Sequence, residues 1–181
     1  MDPLRLATPD DIPAIAALIE ASVRGLQASD YSLEQREGAL GTVFGVDRLL
    51  IEDRTYFVVE DEAREMVACG GWSKRNTLFG SDNAPVKNDN WLDPQLDAAR
   101  IRAFFVHPSH ARRGLGSLIM RTCEEAARRA GFTRLTLGAT LTGIPLYEHH
   151  GFRQVERVEV PLVNGTSIPI VRMEKELTPI S

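Results

Sequence analysis

Apolar residues recur along the chain in two periods, and the alternation between them predicts a mixture of helices and strands. Leu4-Arg5-Leu6-Ala7 looks like a short first strand. Ile12, Ile15, Ala16, Ile19 and Val23 then fall at helical spacing behind a start signal at Thr8-Pro9-Asp10-Asp11, with Thr8 as N-cap and Pro9 as the first helical residue. Ser32-Leu33-Glu34-Gln35 is a capping-box start for a second helix, which the pattern carries to about Phe44, near Gly45, with a further short turn over Val46 to Ile51. Thr55 to Glu60 and Met66 to Ser73 are rich in β-branched and aromatic residues and flank the polar turn Asp61 to Glu65, which predicts a hairpin. Gly70 and Gly71 interrupt its second strand and mark a bulge or a close approach of another group.

Arg100 to His107 reads as a central strand, apolar on both faces at Phe104-Phe105-Val106, and Pro108, which cannot donate to a ladder, ends it. The most regular helix follows: Leu115, Leu118, Ile119, Thr122, Cys123, Ala126, Ala127 and Ala130 share one face. Glu124 with Arg128 and Glu125 with Arg129 form pairs on the opposite one. Gly131 stops this helix and Thr133 to Leu137 is another buried strand, so a right-handed crossover makes the two strands parallel. Gly143 to His150 is a short helix stopped by Gly151. Phe152 to Val163 and Thr166 to Lys175 are strands joined by the two-residue signal Asn164-Gly165, with Pro161 and Pro169 implying edge positions or bulges. From Lys74 to Ala99 the pattern lapses, and a connection this long inside one domain is functional or disordered.

The length of 181 residues and the unbroken run of elements predict a single domain over 1–176, with 177–181 as a frayed tail. No apolar run is long enough to span a bilayer, and Met1-Asp2-Pro3-Leu4-Arg5 has no charged-then-apolar signal pattern, so a cytoplasmic protein with no membrane partner is expected. A net charge of −4 argues against a general nucleic-acid binder and allows a cationic substrate. Cys69 and Cys123 both lie in apolar patterns and read as two buried reduced thiols.

The chemistry concentrates between the central strand and the regular helix. Gly114 and Gly116 let the backbone approach a ligand closely or take positive φ, and the helix opens with unpaired N–H groups and the positive end of its dipole. Together these make an anion site best suited to phosphate. No Gly-Lys-Ser/Thr follows the loop, which argues against a phosphate-loop nucleotide enzyme. The six residues Ala111-Arg112-Arg113-Gly114-Leu115-Gly116 resemble the coenzyme A loop of the GCN5-related N-acetyltransferases, whose pattern is Gln/Arg-x-x-Gly-x-Gly/Ala; Ala111 departs from it at the first position. Leu146-Tyr147-Glu148-His149-His150-Gly151-Phe152 resembles the second signature of that family, Leu-Tyr-x-x-x-Gly-Phe. The resemblance is specific from about Arg100 to Phe152 and elsewhere follows the order of elements.

That resemblance implies an α/β (α+β) fold: a mixed, mostly antiparallel sheet with one splayed parallel strand pair, flanked by helices. It implies acetyl transfer from acetyl-CoA to a primary amine, on a small-molecule or peptide acceptor, by direct attack. Tyr147 matches the family tyrosine that protonates the departing thiolate, a role suited to its reference pKa of ~10. The backbone N–H groups of Arg113, Gly114, Leu115, Gly116 and Ser117 would cradle the pyrophosphate, with Arg112 and Arg113 adding charge. The backbone of Phe105 and Val106 would pair with the pantetheine arm in the gap, and an N–H near Val106 would stabilise the oxyanion. Thr140 stands near where the family often has Asn. Arg100 and Arg102 occupy the strand on which some members carry a Glu base; Glu60, Glu52 and His107 are the candidate bases instead, none preferred. His149 and His150 are adjacent in a helix and face different directions, so no metal site is expected. The 74–99 segment is either a lid or wall of the acceptor pocket or a surface insertion or subunit contact, and a homodimer fits the family. Ala111 and the missing strand Glu keep a second reading open, a non-catalytic acyl-CoA-binding or regulatory module on the same fold.

Overall fold

The computed structural model describes residues 3–179, and within them one sheet carries seven strands flanked by five α-helices. In chain order these are β1 (Leu4–Leu6), α1 (Ile12–Leu26), α2 (Leu33–Ala39), α3 (Arg48–Glu52), β2 (Tyr56–Glu60), β3 (Met66–Ser73) and β4 (Ala99–Val106). There follow α4 (Leu115–Arg129), β5 (Arg134–Ala139), α5 (Ile144–His149), β6 (Arg153–Pro161) and β7 (Ser167–Glu176). The strands lie in the order β1-β2-β3-β4-β5-β7-β6, all neighbours antiparallel except β4 and β5. This is the mixed, mostly antiparallel sheet that the resemblance implied. No helix among the described residues is long and apolar enough to cross a membrane.

Each face of the sheet covers its own core. Ile119, Met120 and Cys123 of α4 pack with Leu135, Leu137 and Tyr147 on one side; Ile15, Ile19 and Val23 of α1 pack with Val58, Cys69 and Phe105 on the other. Both cysteines are buried and free, as their apolar settings predict.

The feature that shapes the middle of the sheet is a bulge in β4. Cys69 pairs with Phe105 but Gly71 pairs with Arg102, so Ala103 and Phe104 together oppose Gly70 alone. A Cβ on Gly70 would lie 2.5 Å from Phe104 Cδ1, so only glycine lets that ring cross β3. Ala103 takes φ 56°, a left-handed conformation that alanine rarely adopts. A bulge bends its strand, and β4 leaves β5 after only two paired positions, Ala99 with Leu135 and Arg100 with Thr136.

Several local expectations are corrected. Helix α2 stops at Ala39 rather than near Phe44: Leu40 is extended, and Gly41 N and Phe44 O, 2.7 Å apart, close a turn that sends the Phe44 ring into the core, edge-on to Phe105 at 6.1 Å. Burying that ring outweighs little more than one further helical turn. Residues 46–51 hold not a turn but most of α3, capped where Asp47 accepts from Leu49 N at 3.1 Å. Along α1 the buried positions include Leu18 and Ser22, whereas Ala16 is exposed. Glu124, expected on the solvent face of α4, is buried and paired with Lys175 of β7 at 2.6 Å. The β6–β7 loop has three residues, not two. Gly165 N donates to Leu162 O and Leu162 N to Thr166 O, while positive φ falls on Gly165 and not on Asn164. The tail is held further than expected: Leu177 is buried and its N–H bonds Thr133 O at 2.8 Å, and Thr178 O accepts from Arg128 at 2.9 Å. Residues 180–181 of that tail lie outside the described residues.

Candidate active site

Where β4 and β5 part, the ladder leaves backbone groups facing a gap. His107 N bonds Val67 O at 2.8 Å, so 107 with 67 is a hydrogen-bonded antiparallel pair. The alternation of such pairs turns the groups of Phe105 to Cys69 and those of Val106 away from β3, toward the gap. Of the two residues matched to the pantetheine arm, Val106 therefore offers its backbone, while Phe105 contributes its ring to the core beneath.

The end of β4 leads straight into the candidate anion site. Pro108–His110 form one 3₁₀ turn, capped where His107 Nδ1 accepts from Ser109 N at 3.2 Å. Arg112 takes φ 61° and Gly114 φ 82°, and α4 begins at Leu115. The first backbone bond of that turn runs from Leu118 N to Gly114 O at 3.0 Å, so the N–H groups of Leu115, Gly116 and Ser117 precede it at the positive end of the helix. A Cβ on Gly114 would meet nothing within 4 Å, so the space in front of it is open. Arg112 and Arg113 are exposed beside it. Ser117 Oγ lies 2.8 Å from His150 Nε2, which ties the start of α4 to the end of α5. The His149 ring stands edge-on to that of His150, at 89° and 5.4 Å between centroids.

A cavity of about 60 Å³ opens in the gap, walled by Phe44, Phe79, Ala103, Phe104, Thr140 and Tyr147 among others. Tyr147 is 8% exposed, and its ring meets Phe104 and Phe152 edge-on at 6.3 and 6.0 Å. Burial pushes its hydroxyl well above the ordinary tyrosine value, so it stays protonated at neutral pH. The turn that leads into α5 is anchored from across the sheet: Tyr31 accepts from Leu141 N at 2.9 Å and donates to Pro169 O at 2.7 Å, and Thr142 donates to Asp30 at 2.7 Å. Thr140 caps the same turn, its Oγ1 accepting from Gly143 N at 3.0 Å.

The 74–98 segment forms part of the cavity wall through Leu78, Phe79 and Gly80. It is held there by Arg102, 3% exposed, which donates to Gly80 O at 2.7 Å and pairs with Asp47 at 3.0 Å. Lys87 joins the same carboxylate at 3.2 Å. Burial lowers the Arg102 pKa and Asp47 counters it. In the sequence Arg102 stands only where some family members carry a base; its partner lies 55 positions away, and no local signal connects them. Arg102→Met is expected to destabilise the protein by about 3 kcal/mol, the lower end for a broken buried pair, because Lys87 still faces Asp47. Denaturant unfolding of the two proteins measures this.

None of the candidate bases lines the cavity. Glu60 is held by Arg5 at the far β1–β2 edge at 2.6 Å, Glu52 is exposed on α3, and His107 caps its own turn. Beyond Phe44 and Gly45, which border both spaces, lies a larger groove of about 540 Å³ between α1 and the α2–α3 region. Its carboxylates are paired: Glu20 and Glu37 with Arg24, and Asp82 with Arg48.

Residues 52–154 match the family described as Acetyltransferase (GNAT) domain. An uncharacterized N-acetyltransferase, YjcF of Bacillus subtilis, is 30% identical over 77 residues, 42% of this chain; the chain spans about half, 53%, of that relative's length. A GCN5-related N-acetyltransferase from Rhodopseudomonas palustris, also described as an aminotransferase of class II, superposes with a TM-score of 0.71 at 23% identity, covering 98% of this chain and 96% of that one. The PaiA N-acetyltransferase from Thermoplasma acidophilum, solved in complex with coenzyme A, superposes with a TM-score of 0.64 at 12% identity, covering 97% and 99%.

Proposed function

The chain belongs to the GNAT acetyltransferases, and from that premise we propose that it moves the acetyl group of acetyl-CoA to a primary amine. The observation that carries this reading is that β4 parts from β5 at a cavity walled by the buried Tyr147, while the same strand runs on through the outward-turned backbone of Val106 to the free N–H groups that open α4. The N–H groups of Arg113 to Ser117, with the Arg112 and Arg113 side chains, bind the pyrophosphate. Val106 pairs with the pantetheine amides, as in strand addition. The neutral amine attacks the thioester carbonyl and forms the C–N bond, and its nitrogen loses a proton to solvent; as the C–S bond then breaks, Tyr147 gives its proton to the departing thiolate and regains one from solvent. Stabilisation of the oxyanion falls to backbone N–H groups on the gap side of β4.

The walls also narrow the acceptor. Among the described residues five aromatic rings line the cavity, and its one charged side chain, Arg102, is cationic and paired to Asp47. A second ammonium would face the Arg102 guanidinium there, and in the groove it would compete with Arg24 and Arg48, which already sit on the carboxylates. The acceptor is therefore a monoamine on an uncharged, apolar body. Free-thiol release from acetyl-CoA, measured with benzylamine, phenethylamine, lysine and spermidine, tests both statements. Arylalkylamines are expected to react with kcat/KM roughly tenfold or more above spermidine, a difference of about 1.4 kcal/mol. A preference for spermidine would overturn the acceptor class. If none of these amines brings about thiol release while acetyl-CoA still binds, the non-catalytic acyl-CoA-binding module stands instead.

A further inference from the structure

Ala103 is a non-glycine residue in the middle of a strand at φ 56°, and such a conformation costs of order 1–3 kcal/mol unless its surroundings hold it. One side chain does so. The Tyr56 hydroxyl, on β2, donates to Ala103 O at 2.7 Å and lies 3.1 Å from Cys69 Sγ. Tyr56 is 4% exposed, and burial raises its pKa, so it remains a donor. Its ring belongs to the core under α1, whereas Phe104 packs toward the opposite core, against Tyr147.

The peptide unit between Ala103 and Phe104 is planar and trans, so its N–H points opposite to its C=O. With the carbonyl drawn toward Tyr56, on the β2 side of β4, the N–H of Phe104 points the other way, toward β5 and the cavity lined by Ala103, Phe104, Gly138 and Tyr147. We propose that Tyr56 is a positioning residue for acetyl transfer: its hydroxyl fixes the plane of the strained 103–104 peptide and thereby aims the Phe104 N–H at the thioester carbonyl. The inference rests on the acetyltransferase reading. It adds that the donor is held in place before substrate arrives, which is the condition under which a hydrogen bond to a developing oxyanion is most effective. Without the hydroxyl, Ala103 would relax toward negative φ and turn the donor away.

The test is isotope-edited infrared spectroscopy of the protein bound to acetyl-CoA labelled with ¹³C at the thioester carbonyl, which needs no acceptor. Bound to the wild-type protein, the carbonyl band is expected to move to lower frequency than in water-free reference solution. Tyr56→Phe is expected to lose that shift while its Kd for acetyl-CoA is unchanged. Tyr56→Phe combined with Ala103→Gly is expected to recover it in part, because glycine holds positive φ without help. A purely structural Tyr56 would not produce that recovery. If Tyr56→Phe does not fold, Ala103→Val, which keeps Tyr56 but resists positive φ, takes its place with the same loss expected. An unshifted wild-type band, or the same band in Tyr56→Phe, overturns the proposal. Failure of the wild-type protein to bind acetyl-CoA overturns the underlying reading, and this proposal with it.

Discussion

Tyr147→Phe is expected to lower kcat by roughly 100-fold, the low end of the range for loss of a general acid, with the Kd for acetyl-CoA unchanged within about twofold. The reasoning is steric as well as chemical. The ring is fixed edge-on between Phe104 and Phe152, and phenylalanine fills the same space. What disappears is one proton donor at the cavity wall. The pH dependence follows from the direction of the pKa shift. Burial raises the folded value above the ordinary one, so the donor form persists and no loss of rate is expected from this group below about pH 10. The stability attached to the shift has the same sign: it is fully present below the unfolded tyrosine value and is lost as pH rises beyond it. Stopped-flow or steady-state thiol release across pH 6–10, compared between the two proteins, measures the effect. An unchanged kcat would remove Tyr147 from the chemistry.

Gly114→Asp is expected to weaken coenzyme binding by roughly 100-fold or more. Asp is among the few residues that tolerate the left-handed φ of 82° at this position, and a Cβ there meets no protein atom, so the fold is not the target. Under the proposed reading the added carboxylate would face the coenzyme's phosphates instead: two like charges 4 Å apart repel by about 4 kcal/mol at an effective dielectric of 20. Gly114→Asn, with nearly the same shape and no charge, separates repulsion from crowding and is expected to lose far less. The readout is the rise in melting temperature produced by excess coenzyme A, which scales with the logarithm of ligand over Kd. Equal protection of the wild-type protein and the Gly114→Asp variant would place the phosphates elsewhere.

The parts of this architecture set by neighbours in sequence were legible before the structure. The strand ending at Pro108, the glycine loop, the apolar face of α4 and the parallel crossover to β5 each depend on residues within a few positions of one another. So does Tyr147, carried by a short helix stopped by Gly151. What escaped depends on contacts across the chain. Gly70 was flagged as a bulge, but the residue that carries the strain is Ala103 on the facing strand, and its support comes from Tyr56, 47 positions away. The helical pattern from Ser32 ran on toward Phe44 because periodicity does not register that Phe44 has a better place against Phe105. Glu124 looked solvated because its partner, Lys175, lies on the last strand. The 74–98 segment carries no period at all. Its place as a cavity wall is set by Arg102 holding Gly80, which supports the wall reading over the bare surface insertion.

The most direct test of the central claim is a calorimetric titration of the purified wild-type protein with acetyl-CoA and with coenzyme A. Saturable binding of both in the micromolar range, one molecule per chain, is the predicted result, since the loop at Gly114 and the gap beside Val106 are both already formed. No binding of either form would contradict the account and reduce Gly114 and Gly116 to residues that turn the chain between β4 and α4.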